Sequence, residues 1–148
     1  MDDWKRHLLE DDGRIGALVR GARRVAVLGV KTEAQADQAA FYVAKFVADH
    51  GGEVVPVPVF YPEVTEILGK QVYRKVADVP GDLDIVDVFR KPSDIPPHLD
   101  DLLAKKPRAV WFQLGIRNDA AAEVLARAGI DVVQDRCLKV EWARHRGG

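Results

Sequence analysis

Lys31, Arg90, Lys91 and Arg136 each stand just beyond a short apolar run, and Gly29 closes the first of these runs. Such a set suits a bound anion. Glycine lets backbone approach a ligand closely, lysine offers a point charge, and arginine grips a phosphate with two parallel N–H bonds. Residues 24–32, RVAVLGVKT, carry a single glycine where the dinucleotide fingerprint G-x-G-x-x-G needs three. Residues 53–60, EVVPVPVF, end without the carboxylate that would hold the ribose hydroxyls of NAD. The expectation is a phosphate-bearing ligand other than a classical dinucleotide, with NAD as the weaker alternative.

No catalytic constellation is legible. His7, His50, His98 and His145 fall in the N-terminal segment, near a helix end, inside a helix and in the tail, none on a strand-end loop. Ser93, the single serine, stands at an expected helix cap. Asp84 and Asp87 flank one strand, where Asp87 is expected to pair with a neighbouring N–H. Metal-ligand spacings and a Walker-type phosphate loop are both missing, so no catalytic residue and no metal site is assigned. Trp111 and Phe112 read as core.

Composition narrows the partners. Among 148 residues, 22 are Lys or Arg and 23 are Asp or Glu, for a net charge of −1. That balance argues against a general nucleic-acid or membrane-surface binder, so any anion site must be local. The single cysteine, Cys137, excludes an intrachain disulfide and a cysteine-based zinc site. Residues 1–12 are charged throughout, unlike a signal peptide, and no apolar run approaches the roughly 20 residues of a membrane span. A cytoplasmic protein is expected.

The elements that must position the cations follow from the periodicity. Apolar runs at 24–29, 53–60, 83–89, 108–115 and 131–134 suit strands buried on both faces. Pro56 and Pro58 each remove a backbone donor, so the second strand is expected to end near Val57. Helices are expected over 35–50, with Ala39, Tyr42, Val43, Phe46 and Val47 on one stripe, and over the segment from 92 to 106, capped by Ser93 or Asp94. A further helix runs from Asn118 to Gly129, and a closing helix is capped by Asp135. Residues 61–82 are the least periodic, with one short helix expected over 62–69. Alternating strand and helix imply an α/β fold: a doubly wound five-stranded parallel sheet in three layers, read as one domain over 1–148 with its core at about 13–142. Ligands bind such sheets outside the carboxyl ends of the strands. The loops so nominated are 29–32, 56–61, 89–92, 113–116 and 134–137, and three of them carry positive charge.

VDVFRKP at 86–92 and VWFQLGIRNDAAAEVLARAGIDVVQDRCLKVE at 110–141 resemble the small stand-alone CoA-binding proteins. Their Rossmann-like CoA-binding domain also begins the alpha subunit of succinyl-CoA synthetase. The likeness is strongest in F-R-x-P, W-x-Q-x-G and D-R-C-L-K-x-E. It implies that Gly29, Val30, Lys31 and Thr32 hold the phosphates of coenzyme A. Pro56, Val57, Pro58 and Val59, with Val88, Phe89, Arg90 and Lys91, would border the nucleotide, and Gln113 and Gly115 complete the candidate set. Where the family has G-A-S and P-V-N-P, this chain has G-V-K and P-V-P-V, exchanging two polar contacts for the charge of Lys31.

The resemblance implies a binding module for CoA or an acyl-CoA, a carrier or sensor without catalysis of its own. The alternatives are a subunit of a split ADP-forming acyl-CoA synthetase and an NAD-binding redox protein. Cys137 stays open between a packed small hydrophobe and a thiol activated by the start of the closing helix.

Overall fold

Val25 and Val27 point into one apolar layer while Ala26 and Leu28, between and beyond them, point into another. A strand with no polar face has to be covered on both sides, and the chain does this with helices. The computed structural model describes residues 3–146. Its strands are β1 (Arg24–Leu28), β2 (Glu53–Val57), β3 (Glu66–Ile67), β4 (Lys70–Gln71), β5 (Ile85–Val88), β6 (Ala109–Phe112) and β7 (Asp131–Val133). Its α-helices are α1 (Asp12–Gly21), α2 (Ala39–Asp49), α3 (Leu99–Lys105), α4 (Asp119–Arg127) and α5 (Leu138–His145).

The main sheet has the order β2-β1-β5-β6-β7 with every pair parallel. Residues of α1, α2 and α5 cover one face, around Ile15, Val43, Trp111 and Trp142. Residues of α3 and α4 cover the other, around Leu102, Phe112 and Leu125. This is the Rossmann-like, three-layer α/β fold expected. Strand order reverses between β1 and β5, and that reversal opens a crevice at their carboxyl ends. Pro56 sits in β2 without breaking a ladder because β2 is an edge strand, and its imide nitrogen faces away from β1. At the opposite edge the Leu9 N–H donates to the Val132 carbonyl at 2.9 Å, so the N-terminal segment shields part of β7. Among the described residues no helix is long and apolar enough to cross a membrane.

The helix expected over 35–50 begins only at Ala39, and Tyr42 is exposed while Phe41 takes its place on the buried face. Four further local expectations need correction. The short helix over 62–69 is instead a two-stranded antiparallel pair, β3 and β4. Its turn takes Leu68 to a φ of 55°, and Glu33 pins the Leu68 N–H at 2.7 Å. The helix capped by Ser93 or Asp94 begins only at Leu99, after 3-10 turns at Pro92–Asp94 and Pro96–His98. Prolines 92, 96 and 97 donate no N–H, so an α-helical ladder cannot run through them. Asp135 does not cap the closing helix. It is left-handed at φ 57°, its carboxylate accepts the Gly115 N–H at 2.7 Å, and Cys137 takes the cap position without a side-chain bond. Finally, the aspartate that pairs with neighbouring N–H groups is Asp84, which accepts from Arg23 and Arg24 at 2.8 and 2.9 Å. The Asp87 carboxylate has no hydrogen-bond partner among the described residues.

Candidate functional site

Gly29 ends β1 inside the crevice. Its N–H donates to the Val57 carbonyl and the Phe89 N–H donates to the Leu28 carbonyl, both at 2.9 Å, so three strand ends are tied together around it. Gly29 has a φ of +86°, and a Cβ there would lie 2.5 Å from the Phe89 carbonyl oxygen. Only glycine fits that geometry. The side-chain-free backbone forms part of the wall of a cavity of about 350 Å³.

Six of the residues nominated from the sequence line this cavity together: Gly29, Lys31, Phe89, Arg90, Lys91 and Gly115. Ala40, Phe60, Pro92 and Ile116 join them. Lys31 is half-buried, its N–H donates to the Ala40 carbonyl at 3.1 Å, and its ammonium has no carboxylate partner among the described residues. Ala40 lies in the first turn of α2. The residue at that helix's cap, Gln38, makes no side-chain capping bond, so the positive end of the dipole is uncompensated beside Lys31.

Arg90 is held from three sides. Its guanidinium lies 5.6 Å from the Phe60 ring centroid, its Nε donates to His98 Nε2 at 3.2 Å, and Asp94 lies 3.9 Å away. Burial, and then the charge of Arg90, lower the His98 pKa from its ordinary value. A neutral ring with Nε2 unprotonated is the form that can accept from Arg90. Sequence reasoning placed His98 inside a helix and missed this contact. The signal was absent because two proline-bounded turns, without periodicity, separate it from Arg90.

The remaining nominated residues do not line the cavity. Val30, Val57 and Val88 are in the core, Pro56 and Pro58 are buried, and Val59 packs on the α3–α4 side. The Thr32 hydroxyl is used locally, donating to Gln35 Oε1 at 2.7 Å and accepting from the Ala34 N–H at 3.3 Å. Gln113 is buried and accepts the Leu138 N–H at 3.2 Å. Asp87 lies below the crevice in the central strand, level with Val27 and Trp111, and burial pushes its carboxyl well above the usual range.

An unpaired ammonium, an immobilised guanidinium and a helix start around bare backbone are an arrangement whose chemistry suits an anion. A family model described as a CoA binding domain matches residues 23–143, most of the chain. The chain belongs to this CoA-binding-domain family. Protein YneT of Bacillus subtilis (strain 168) is 30% identical to it over 129 residues, covering 87% of this chain and 92% of YneT. A solved structure from Thermus thermophilus is 36% identical with a TM-score of 0.83, covering 92% of this chain and 99% of that one. The acetyl-coenzyme A synthetase 1 of Ca. Korarchaeum cryptofilum shares the fold at a TM-score of 0.65 and 16% identity, over 80% of this chain but 27% of the synthetase.

Proposed function

We propose that this member of the CoA-binding-domain family binds CoA or a CoA thioester at the β1–β5 crevice, acting as a carrier, sensor or accessory subunit. One observation carries the reading. In a chain of net charge −1, Lys31 and Arg90 converge on a single cavity walled by the bare backbone of Gly29. CoA presents a pyrophosphate and a 3′-phosphate, which suit a mobile ammonium and a fixed guanidinium better than a carboxylate would. An NAD reading has no comparable support, because β2 ends in Val57 and then Pro58, with no acid for a ribose.

Ligand-dependent melting across CoA, acetyl-CoA, NAD, NADP and ATP tests the reading. CoA at about 100 times its Kd is expected to stabilise the fold by about 2.7 kcal/mol. At roughly 2–4 °C per kcal/mol, Tm should rise by about 5–11 °C. A shift with NAD and none with saturating CoA overturns it.

Lys31→Ala should weaken CoA by roughly tenfold to a hundredfold, the worth of a charge-assisted contact of about 1.5–3 kcal/mol. Calorimetry with dephospho-CoA then locates the lysine. A loss confined to CoA assigns it the 3′-phosphate, and an equal loss for both ligands assigns it the pyrophosphate. Unchanged affinity for both would make Lys31 an ordinary solvated side chain.

A further inference from the structure

Phe60 follows β2 and lines the crevice cavity, yet it is 59% exposed. The phosphate chemistry of Lys31 and Arg90 makes no use of an aromatic ring. A lone exposed apolar residue needs no explanation. This one is held in place at a cost in backbone strain, for little burial in return.

The hold is made by one side chain. Arg74, three residues after β4, donates to the carbonyls of Phe60 at 3.1 Å, Tyr61 at 2.9 Å, Pro62 at 3.3 Å and Val64 at 2.7 Å. A single guanidinium thus ties down the whole turn that carries the ring. The Val64 N–H closes the turn on the Tyr61 carbonyl, and the Tyr73 N–H donates to the Pro56 carbonyl, both at 3.0 Å. Within the turn Tyr61 takes a φ of 65°, a left-handed conformation unfavourable for an aromatic residue. Strain that the surrounding contacts enforce is a mark of ligand clamps, where one side-chain direction has to be kept.

The surroundings of the ring decide what it would meet. Its centroid lies 5.6 Å from the Arg90 guanidinium, and Tyr61 stands at 84° to it with centroids 6.3 Å apart. Arg90 is itself fixed by His98 at 3.2 Å and Asp94 at 3.9 Å, so the ring has a rigid cationic backing. The cavity beside it, of about 350 Å³, is walled largely by apolar groups: Ala40, Phe89, Pro92 and Ile116. Lys31 and Lys91 bring charge to the same cavity. An apolar recess with an aromatic wall and nearby cations suits a flat ring that carries phosphate, which is the description of a nucleotide base. Such stacking needs no hydrogen-bond pattern, because every base has a π face.

We infer that Phe60 is a base-stacking residue of the crevice, whose ring receives the adenine of CoA while the phosphates are directed to Lys31. This rests on the CoA reading above and adds the contact that would hold the nucleotide base. It also separates the two aromatic residues of the cavity. Phe89 is tied by its backbone to β1 and packs against the core, whereas Phe60 keeps its surface open for a ligand.

Calorimetric titration of CoA into the intact protein and three variants tests it. Phe60→Ala should weaken CoA by roughly five- to a hundred-and-fifty-fold, the worth of one base–aromatic stack. Phe60→Leu restores apolar bulk without a π face, so it should bind nearly as weakly as the alanine variant. Phe60→Trp should bind at least as tightly as the wild type. Because the position is exposed, all three should melt close to the wild type without ligand. The new indole gives a second readout. Saturating CoA should quench the fluorescence of Phe60→Trp beyond any change in the wild type, which has three tryptophans of its own. Undiminished affinity in Phe60→Ala, full recovery in Phe60→Leu, weak binding by Phe60→Trp, or no added quenching each overturn the stacking residue and leave the CoA reading standing. Failure of CoA to bind the wild type defeats the CoA reading itself and the stacking residue with it.

Discussion

Asp87→Asn is expected to remove a pH-dependent loss of stability from the protein. Asp87 is completely buried in the central strand between Val27 and Trp111, and neither carboxylate oxygen has a hydrogen-bond partner among the described residues. Desolvation therefore raises its pKa well above the ordinary 3.8. In the unfolded chain the same group ionises near its ordinary value. The folded state thus holds a proton that the unfolded state releases, and stability falls as pH rises from about 4 toward the raised pKa. Below the unfolded value both states are protonated and the contribution is fully present. Above the folded value it is lost and the slope vanishes. Within the window the slope is about 1.4 kcal/mol per pH unit, a large part of a typical net stability. Asparagine has nearly the same shape and cannot ionise, so its unsatisfied amide costs the same at every pH. Urea denaturation of both proteins across a pH series starting near 4 should show the variant gaining on the wild type as pH rises toward the raised pKa. A constant difference across that range would mean that Asp87 is solvated or paired in solution.

The sheet was legible because its central strands are covered on both faces. VAVL and IVDV must then be near-continuous apolar runs, and their ends mark the crevice. Pro56 and Pro58 correctly placed the end of β2, and Asn118 caps α4 by accepting the Ala121 N–H at 3.0 Å. What failed to show was whatever depends on contacts distant in sequence. Leu68 is a poor turn residue, held left-handed by Glu33 from 35 positions away while its side chain packs against the core. Asp135 looked like a helix cap because local rules score it so, yet its carboxylate is used 20 residues upstream, by Gly115. Asp87 was expected to find an N–H, but Asp84 takes the two at the start of β1. The strand-end rule nominated the loops that carry Phe60, Pro92 and Ile116. It did not distinguish loop residues that face the crevice from those, such as Thr32 and Gln113, whose polar groups serve the backbone.

Gly29→Ala should damage the fold and the candidate site together, more severely than loss of either cation. Two costs add at this position. An L-residue at a φ of +86° is strained by roughly 1–2 kcal/mol. The new Cβ also lies 2.5 Å from the Phe89 carbonyl oxygen. That oxygen is backbone at the end of a buried central strand, so it cannot swing aside as a flexible side chain would, and overpacking of this kind adds roughly 1–3 kcal/mol. The sum is about 2–5 kcal/mol, and at roughly 2–4 °C per kcal/mol Tm should fall by about 4–20 °C. Relief would require β1 and β5 to separate at their carboxyl ends, which moves Arg90 relative to Lys31 and fills the space where backbone would approach a phosphate. The rise in Tm on adding CoA should therefore disappear in the variant even where enough of it remains folded to be titrated. Gly21→Ala is the matched control. Gly21 ends α1 ahead of the amino end of β1, the opposite end of that strand from the crevice, and its Cβ would come only within 3.3 Å of the Arg108 guanidinium, the movable end of a side chain. That variant should keep its full CoA-dependent shift. A Gly29→Ala protein that melts near the wild type and still responds to CoA would show that the ligand does not approach the protein through this turn.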